Sequence, residues 1–159
     1  PGSYTGLRIG VSSAKGICFA LNIPLISVDT MQILASKANQ QVGYIISAMD
    51  ARRDEIYYSV FEANNIEIPK KITKTDSLIL SSNSFLDFSK LSKVYFIGNC
   101  NEKIAKFINH ENILYSDFTL PSALDMAKLS YLKFDKKDFE NLSEFQPRYL
   151  KDFEGKKTN

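Results

Sequence analysis

The strongest constraint on this chain is its opening helix, which is built from residues that helices usually avoid. Pro1-Gly2-Ser3 supplies turn chemistry, because Pro presets its own φ and Gly tolerates φ > 0. Ser3 or Thr5 can then accept a hydrogen bond from a first-turn N–H. The following segment, Thr5 to Leu21, carries Gly6, Gly10, Ser12, Ser13, Ala14, Gly16 and Ala20. Each helix-interior Gly costs about 1 kcal/mol relative to Ala. Three in one helix imply that another backbone comes close. Leu7, Val11, Ala14, Cys18 and Leu21 share one face by helical spacing. Gly6, Gly10, Ser13, Ile17 and Ala20 form a second face of small residues. That face fits either a partner helix or another helix of the same protein, since ridge-and-groove packing is the same in both.

With 159 residues, 44% of them hydrophobic, the chain can bury a core as one domain or two small lobes. A net charge of +2 without a basic stripe argues against nucleic acid as the main partner. Cys18 and Cys100 form no metal-type or redox-type cluster, and their use reads as reduced and cytoplasmic. No apolar run reaches the roughly 20 residues of a membrane helix. The chain has no initiator Met and opens inside a turn, which reads as a fragment.

Along the chain, Asn22-Ile23-Pro24 ends the first helix, and Leu25 to Val28 reads as a short parallel strand. Asp29 or Thr30 caps a second helix, Met31 to Ala38. Tyr44–Asp50 and Glu55–Phe61 read as an antiparallel pair across Ala51-Arg52-Arg53-Asp54, with a weaker third strand from Ile66 to Lys74. Helices are expected over Ser81–Leu91, Glu102–Asn109 and from Pro121 or Ser122 to Phe134. Strands are expected over Lys93–Asn99 and Asn112–Tyr115, with an extended segment at Pro147–Leu150. The pattern is mixed α/β. The periodicity breaks at Asn39-Gln40-Gln41, which divides the chain into residues 1–40 and 41–159.

Candidate chemistry is sparse. The opening turn could hold an anion at a helix N-terminus, but no GxxxxGK[ST] follows and Lys15 lies too far into the helix, so a structural turn is preferred. Asp50 and Glu55 flank two arginines. An exposed hairpin with cross-turn ion pairs is preferred to acid–base chemistry, because no nucleophile or histidine is near in sequence. His110 is the only histidine and has no partner at ligand spacing, which excludes the usual zinc motifs. Asp125 and Lys128 read as the solvated side of a core-facing helix. No catalytic or metal-binding residue is expected, and no cofactor.

Pro1-Gly2-Ser3-Tyr4-Thr5-Gly6-Leu7-Arg8-Ile9-Gly10, with Ala14-Lys15-Gly16, resembles the TsaB (YeaZ) family. Pro24–Val28, Asp50–Tyr57, Phe96-Ile97-Gly98-Asn99 and Pro147-Arg148-Tyr149-Leu150 are similar to later blocks of that family, in order. The resemblance implies an actin-like, ribonuclease-H-like (ASKHA) two-lobed α/β fold. Residues 1–40 would be the remainder of an incomplete N-terminal lobe, and residues 41–159 the C-terminal lobe. It implies a non-catalytic scaffold that pairs with a TsaD-type ATP-dependent transferase for threonylcarbamoylation of adenosine 37 in tRNA. A TsaE-type ATPase would be a further partner, and tRNA would be met only indirectly. No membrane is involved. In isolation a homodimer is expected. The implied partner surface is Gly6, Ile9, Gly10, Ser13, Gly16 and Ile17. The alternatives are a peptidase-like or ATPase enzyme of the same fold, or a plain self-associating module.

Overall fold

In the computed structural model the described residues are 2–38, 41–65 and 67–150. Pro1, Ile66 and the tail Lys156-Lys157 therefore lie outside them. The elements are α1 (Tyr4–Leu21), α2 (Thr30–Ser36), β1 (Val42–Asp50), β2 (Glu55–Asn64), β3 (Lys70–Lys71), β4 (Asp76–Ile79), α3 (Leu86–Leu91), β5 (Val94–Gly98), α4 (Asn101–Ala105), β6 (Ile113–Tyr115) and α5 (Ala123–Asp135). They fall into two compact units. One is Pro1–Ser27 with Ser130–Asn159, the other Val28–Leu129.

The larger unit is built on a six-stranded sheet in the order β3-β2-β1-β5-β6, with β4 also paired to β2. β1 runs antiparallel to β2 and parallel to β5. Ile45, Ile46, Ser47 and Ala48 of β1 are all buried, so the strand shows no apolar–polar alternation. The cause is cover on both faces. Ile46 and Ala48 belong to one core cluster with Phe85, Phe96 and Ile104. Ile45 belongs to another with Met31, Leu34, Phe61 and Ile97. The buried Ser47 hydroxyl is satisfied by donating to the Met31 carbonyl at 2.8 Å. Gly98, at φ +138, lies where β5 meets β1, and a Cβ there would sit 1.7 Å from the Ala48 carbonyl oxygen.

Helix α2 starts as expected, with Asp29 accepting from the Met31 and Gln32 N–H groups. Its apolar face, Met31, Leu34 and Ala35, lies on the sheet. It therefore groups with the sheet unit. Leu25–Val28 is not a parallel strand. Only Leu25 pairs, in an antiparallel bridge to Glu140. The Ser27 carbonyl instead accepts from Lys133 Nζ at 3.0 Å. The weak third strand shrinks to Lys70–Lys71, and β4 follows it unanticipated. Two other helices are shorter than expected: α3 begins at Leu86 and α4 ends at Ala105.

Candidate functional site

The candidate surface is the outward side of α1. Ser3 caps the helix, its hydroxyl accepting from the Gly6 N–H at 2.9 Å. The far end is a Schellman motif. Asn22 takes the left-handed conformation, its N–H bonds the Phe19 carbonyl at 3.3 Å, and the Ile23 N–H bonds the Cys18 carbonyl at 3.0 Å. Both ends are thus closed by local hydrogen bonds.

Between these caps the helix has two distinct sides. Cys18 is buried, and Leu7, Val11, Ala14 and Lys15 are half-buried. Gly6, Ile9, Gly10, Ser13, Gly16 and Ile17 are all exposed. At about 100° per residue these six fall within an arc of about 120°. Ile9 is 62% exposed and Ile17 57%, well above the usual state of isoleucine in a folded chain. A Cβ placed on Gly10 or Gly16 would meet nothing within 4 Å. No backbone among the described residues therefore approaches these two glycines. Gly6 differs: a Cβ there would sit 2.6 Å from the Ser3 hydroxyl, so the cap accounts for that glycine locally. Leu21, grouped with the buried stripe by spacing, is 64% exposed.

The other candidates are accounted for by local structure. Asp50 is paired with Lys103 of α4, and Lys103 Nζ also donates to the Glu55 carbonyl at 3.2 Å. The Lys103 hydrogen bond pulls the Asp50 carboxyl below its ordinary range, against a smaller opposing effect of burial, and the Arg52 N–H assists. A lysine far along the sequence thus helps to hold the hairpin. Its tip places Arg52 and Arg53 at positive φ, 72° and 48°. His110 Nδ1 accepts from the Asn112 N–H at 3.2 Å. Asp125 pairs with Lys37 at 2.8 Å and forms a reciprocal capping box with Ser122. Lys15 donates to the Ser143 and Phe145 carbonyls, both at 3.1 Å. Among the described residues no group of three His, Cys, Asp or Glu side chains could hold a metal ion, and no helix is long and apolar enough to cross a membrane.

Comparison with known proteins bears on this surface. A family model described as TsaD, tRNA N6-adenosine threonylcarbamoyltransferase, matches residues 1–158. The chain is 25% identical over 158 residues to the tRNA threonylcarbamoyladenosine biosynthesis protein TsaB of Haemophilus influenzae, covering 95% of this chain and 66% of that protein. It is 28% identical over 142 residues to the TsaB protein of Buchnera aphidicola subsp. Acyrthosiphon pisum, covering 87% of this chain and 63% of that one. The chain thus spans slightly less than two thirds of the length of these curated relatives. A Pseudomonas aeruginosa crystal structure, described as an uncharacterized protein with similarity to peptidase YEAZ, superposes with a TM-score of 0.80 at 22% identity, covering 95% of this chain and 70% of that one. That likeness, together with the family match over residues 1–158, supports the actin-like, ribonuclease-H-like α/β fold. By the family match over nearly its whole length, and by the curated proteins it resembles, the chain belongs to the TsaD family, in its TsaB (YeaZ) group.

Proposed function

We propose that this chain carries the partner-binding part of a non-catalytic subunit that pairs with a TsaD-type transferase in threonylcarbamoylation of adenosine 37 of tRNA. The observation that carries the reading is the open side of α1, where Gly10 and Gly16 have nothing against them and Ile9 and Ile17 stand exposed beside them. Small residues let two helices approach to the lower end of the usual 8–10 Å interaxial range, and the flanking isoleucines supply apolar area. Gly6, Ile9, Gly10, Ser13, Gly16 and Ile17 form the contact. The names of the curated relatives support the pathway. A TsaE-type ATPase joins the assembly, tRNA is met through the partner, and the complex works in the cytoplasm. Without its partner the subunit pairs with a second copy through the same surface.

The test is pairing of the full-length protein with the TsaD-type subunit, read by size-exclusion chromatography and calorimetry. Gly10→Leu places a bulky side chain in the contact and is expected to abolish pairing while the circular dichroism spectrum is unchanged. Undiminished pairing by Gly10→Leu would remove the surface from the account.

A further inference from the structure

A second feature lies on the flank of α1, on the side away from Gly10 and Ile17. Here α1 and the residues Phe145, Gln146, Pro147 and Tyr149 line an open groove of about 250 Å³. Among the described residues its charged lining groups are Arg8 and Lys15, both cationic, and no carboxylate lines it. Arg8 is fixed in place. One of its N–H groups donates to the Tyr4 hydroxyl at 2.9 Å, and its guanidinium lies 5.1 Å from the centre of the same ring. Tyr4 in turn packs against Tyr149, with the ring centres 4.7 Å apart and the planes tilted by 31°. The rest of the guanidinium fork makes no hydrogen bond among the described residues. Lys15 is anchored by the Ser143 and Phe145 carbonyls, which leaves one of its three N–H groups over. The Ser12 hydroxyl and the Gln146 amide add donors that have no partner among the described residues.

We infer that this groove binds a small ligand bearing a diphosphate. Two cations, Arg8 and Lys15, line the same groove, which suits a ligand carrying more than one negative charge. A planar guanidinium with free donors matches phosphate oxygens in bidentate fashion, and an ammonium serves as a second point charge. The volume lies below the roughly 300–1,000 Å³ of drug-sized pockets, which suits a diphosphate with a small appendage rather than a protein segment. Val11 and Pro147 offer an apolar wall to that appendage. This inference stands apart from the pairing surface, since none of the six residues proposed to touch the partner lines the groove.

The experiment is calorimetric titration of the full-length protein, without its partner, using inorganic pyrophosphate, ADP and orthophosphate as probes. Saturable binding of pyrophosphate or ADP at millimolar concentration or below is expected, with orthophosphate weaker. ADP tighter than pyrophosphate would support use of the apolar wall, and equal affinities would support a site for the diphosphate alone. Arg8→Gln is expected to weaken binding about tenfold, the scale of one charge-assisted hydrogen bond. Amide shift mapping of the unmodified protein serves as a second readout, with changes expected at Ser12, Lys15 and Gln146. Absence of saturable binding, binding indifferent to Arg8→Gln, or shifts confined elsewhere would overturn the inference.

Discussion

At the scale of single residues, backbone geometry and burial decide more than charge does. Gly98 has no tolerated substitute. Alanine would face the Ala48 carbonyl at 1.7 Å and would also be held at φ +138. Gly98→Ala should therefore lose at least about 2 kcal/mol of stability, measured by urea unfolding of the purified protein. The Cys100 thiol is pushed up to about 12 by burial, with the nearby Lys103 charge only partly opposing. It should react with Ellman's reagent far more slowly in the folded protein than in urea at pH 8, because the thiolate is the reacting form. Asp50 and Asp125 are both held below their ordinary range, first by the hydrogen bonds from Lys103 and Lys37 respectively. A carboxylate with a lowered folded pKa contributes stability above its unfolded pKa and loses it as pH falls through the folded one. Thermal melts should hold steady down to about pH 4 and then fall, and Lys103→Met should flatten part of that fall. The position of Asp50 on a hairpin was legible from Asp50-Ala51-Arg52-Arg53-Asp54. Its partner was not, because Lys103 lies 53 positions away and only the parallel pairing of β1 with β5 brings it near.

At the scale of elements, local chemistry wrote the helix ends plainly and the strand partners poorly. Ser3, Asn22 and Asp29 perform the capping roles their residue types favour, so α1 and α2 begin and end close to where the sequence places them. Leu25–Val28 shows the opposite case. Its apolar run fits a buried strand, yet pairing depends on what lies alongside, and here only Leu25 finds a partner. β4 went unread because Asp76–Ile79 has no alternation, two of its four residues being half-buried and two exposed. The glycines of α1 had one explanation in the sequence and two in the structure. Gly6 makes room for the Ser3 cap, while Gly10 and Gly16 face open space. In the unpaired protein Gly10→Ala and Gly16→Ala should each stabilise, by up to about 1 kcal/mol, since only helix propensity changes. Differential scanning calorimetry would detect the rise in Tm. The same pair of methyl groups should weaken pairing if the partner backbone seats on those positions, a combination that a purely structural role for the glycines would not produce.

At the scale of the whole molecule, the α/β class was legible from the succession of elements, and the family from five blocks of sequence in order. The composition of the compact units was not. α2 reads as a continuation of the opening segment, but its apolar face belongs to the sheet, and residues from Ser130 onward group with α1. Such long-range groupings leave no periodic trace, because they depend on which apolar faces meet rather than on where those faces lie along the chain. The groove beside Arg8 escaped notice for the same reason, since its walls come from opposite ends of the sequence.

The central claim is that the open side of α1 couples this subunit to tRNA threonylcarbamoylation. The most direct measurement is the threonylcarbamoyladenosine content of total tRNA, by nucleoside mass spectrometry, in cells depleted of the full-length protein and then supplied with either the unmodified protein or Gly10→Leu. The account predicts collapse of the modified nucleoside on depletion, recovery with the unmodified protein and no recovery with Gly10→Leu expressed at the same level. An unchanged level on depletion would contradict the function, and full recovery with Gly10→Leu would contradict the surface.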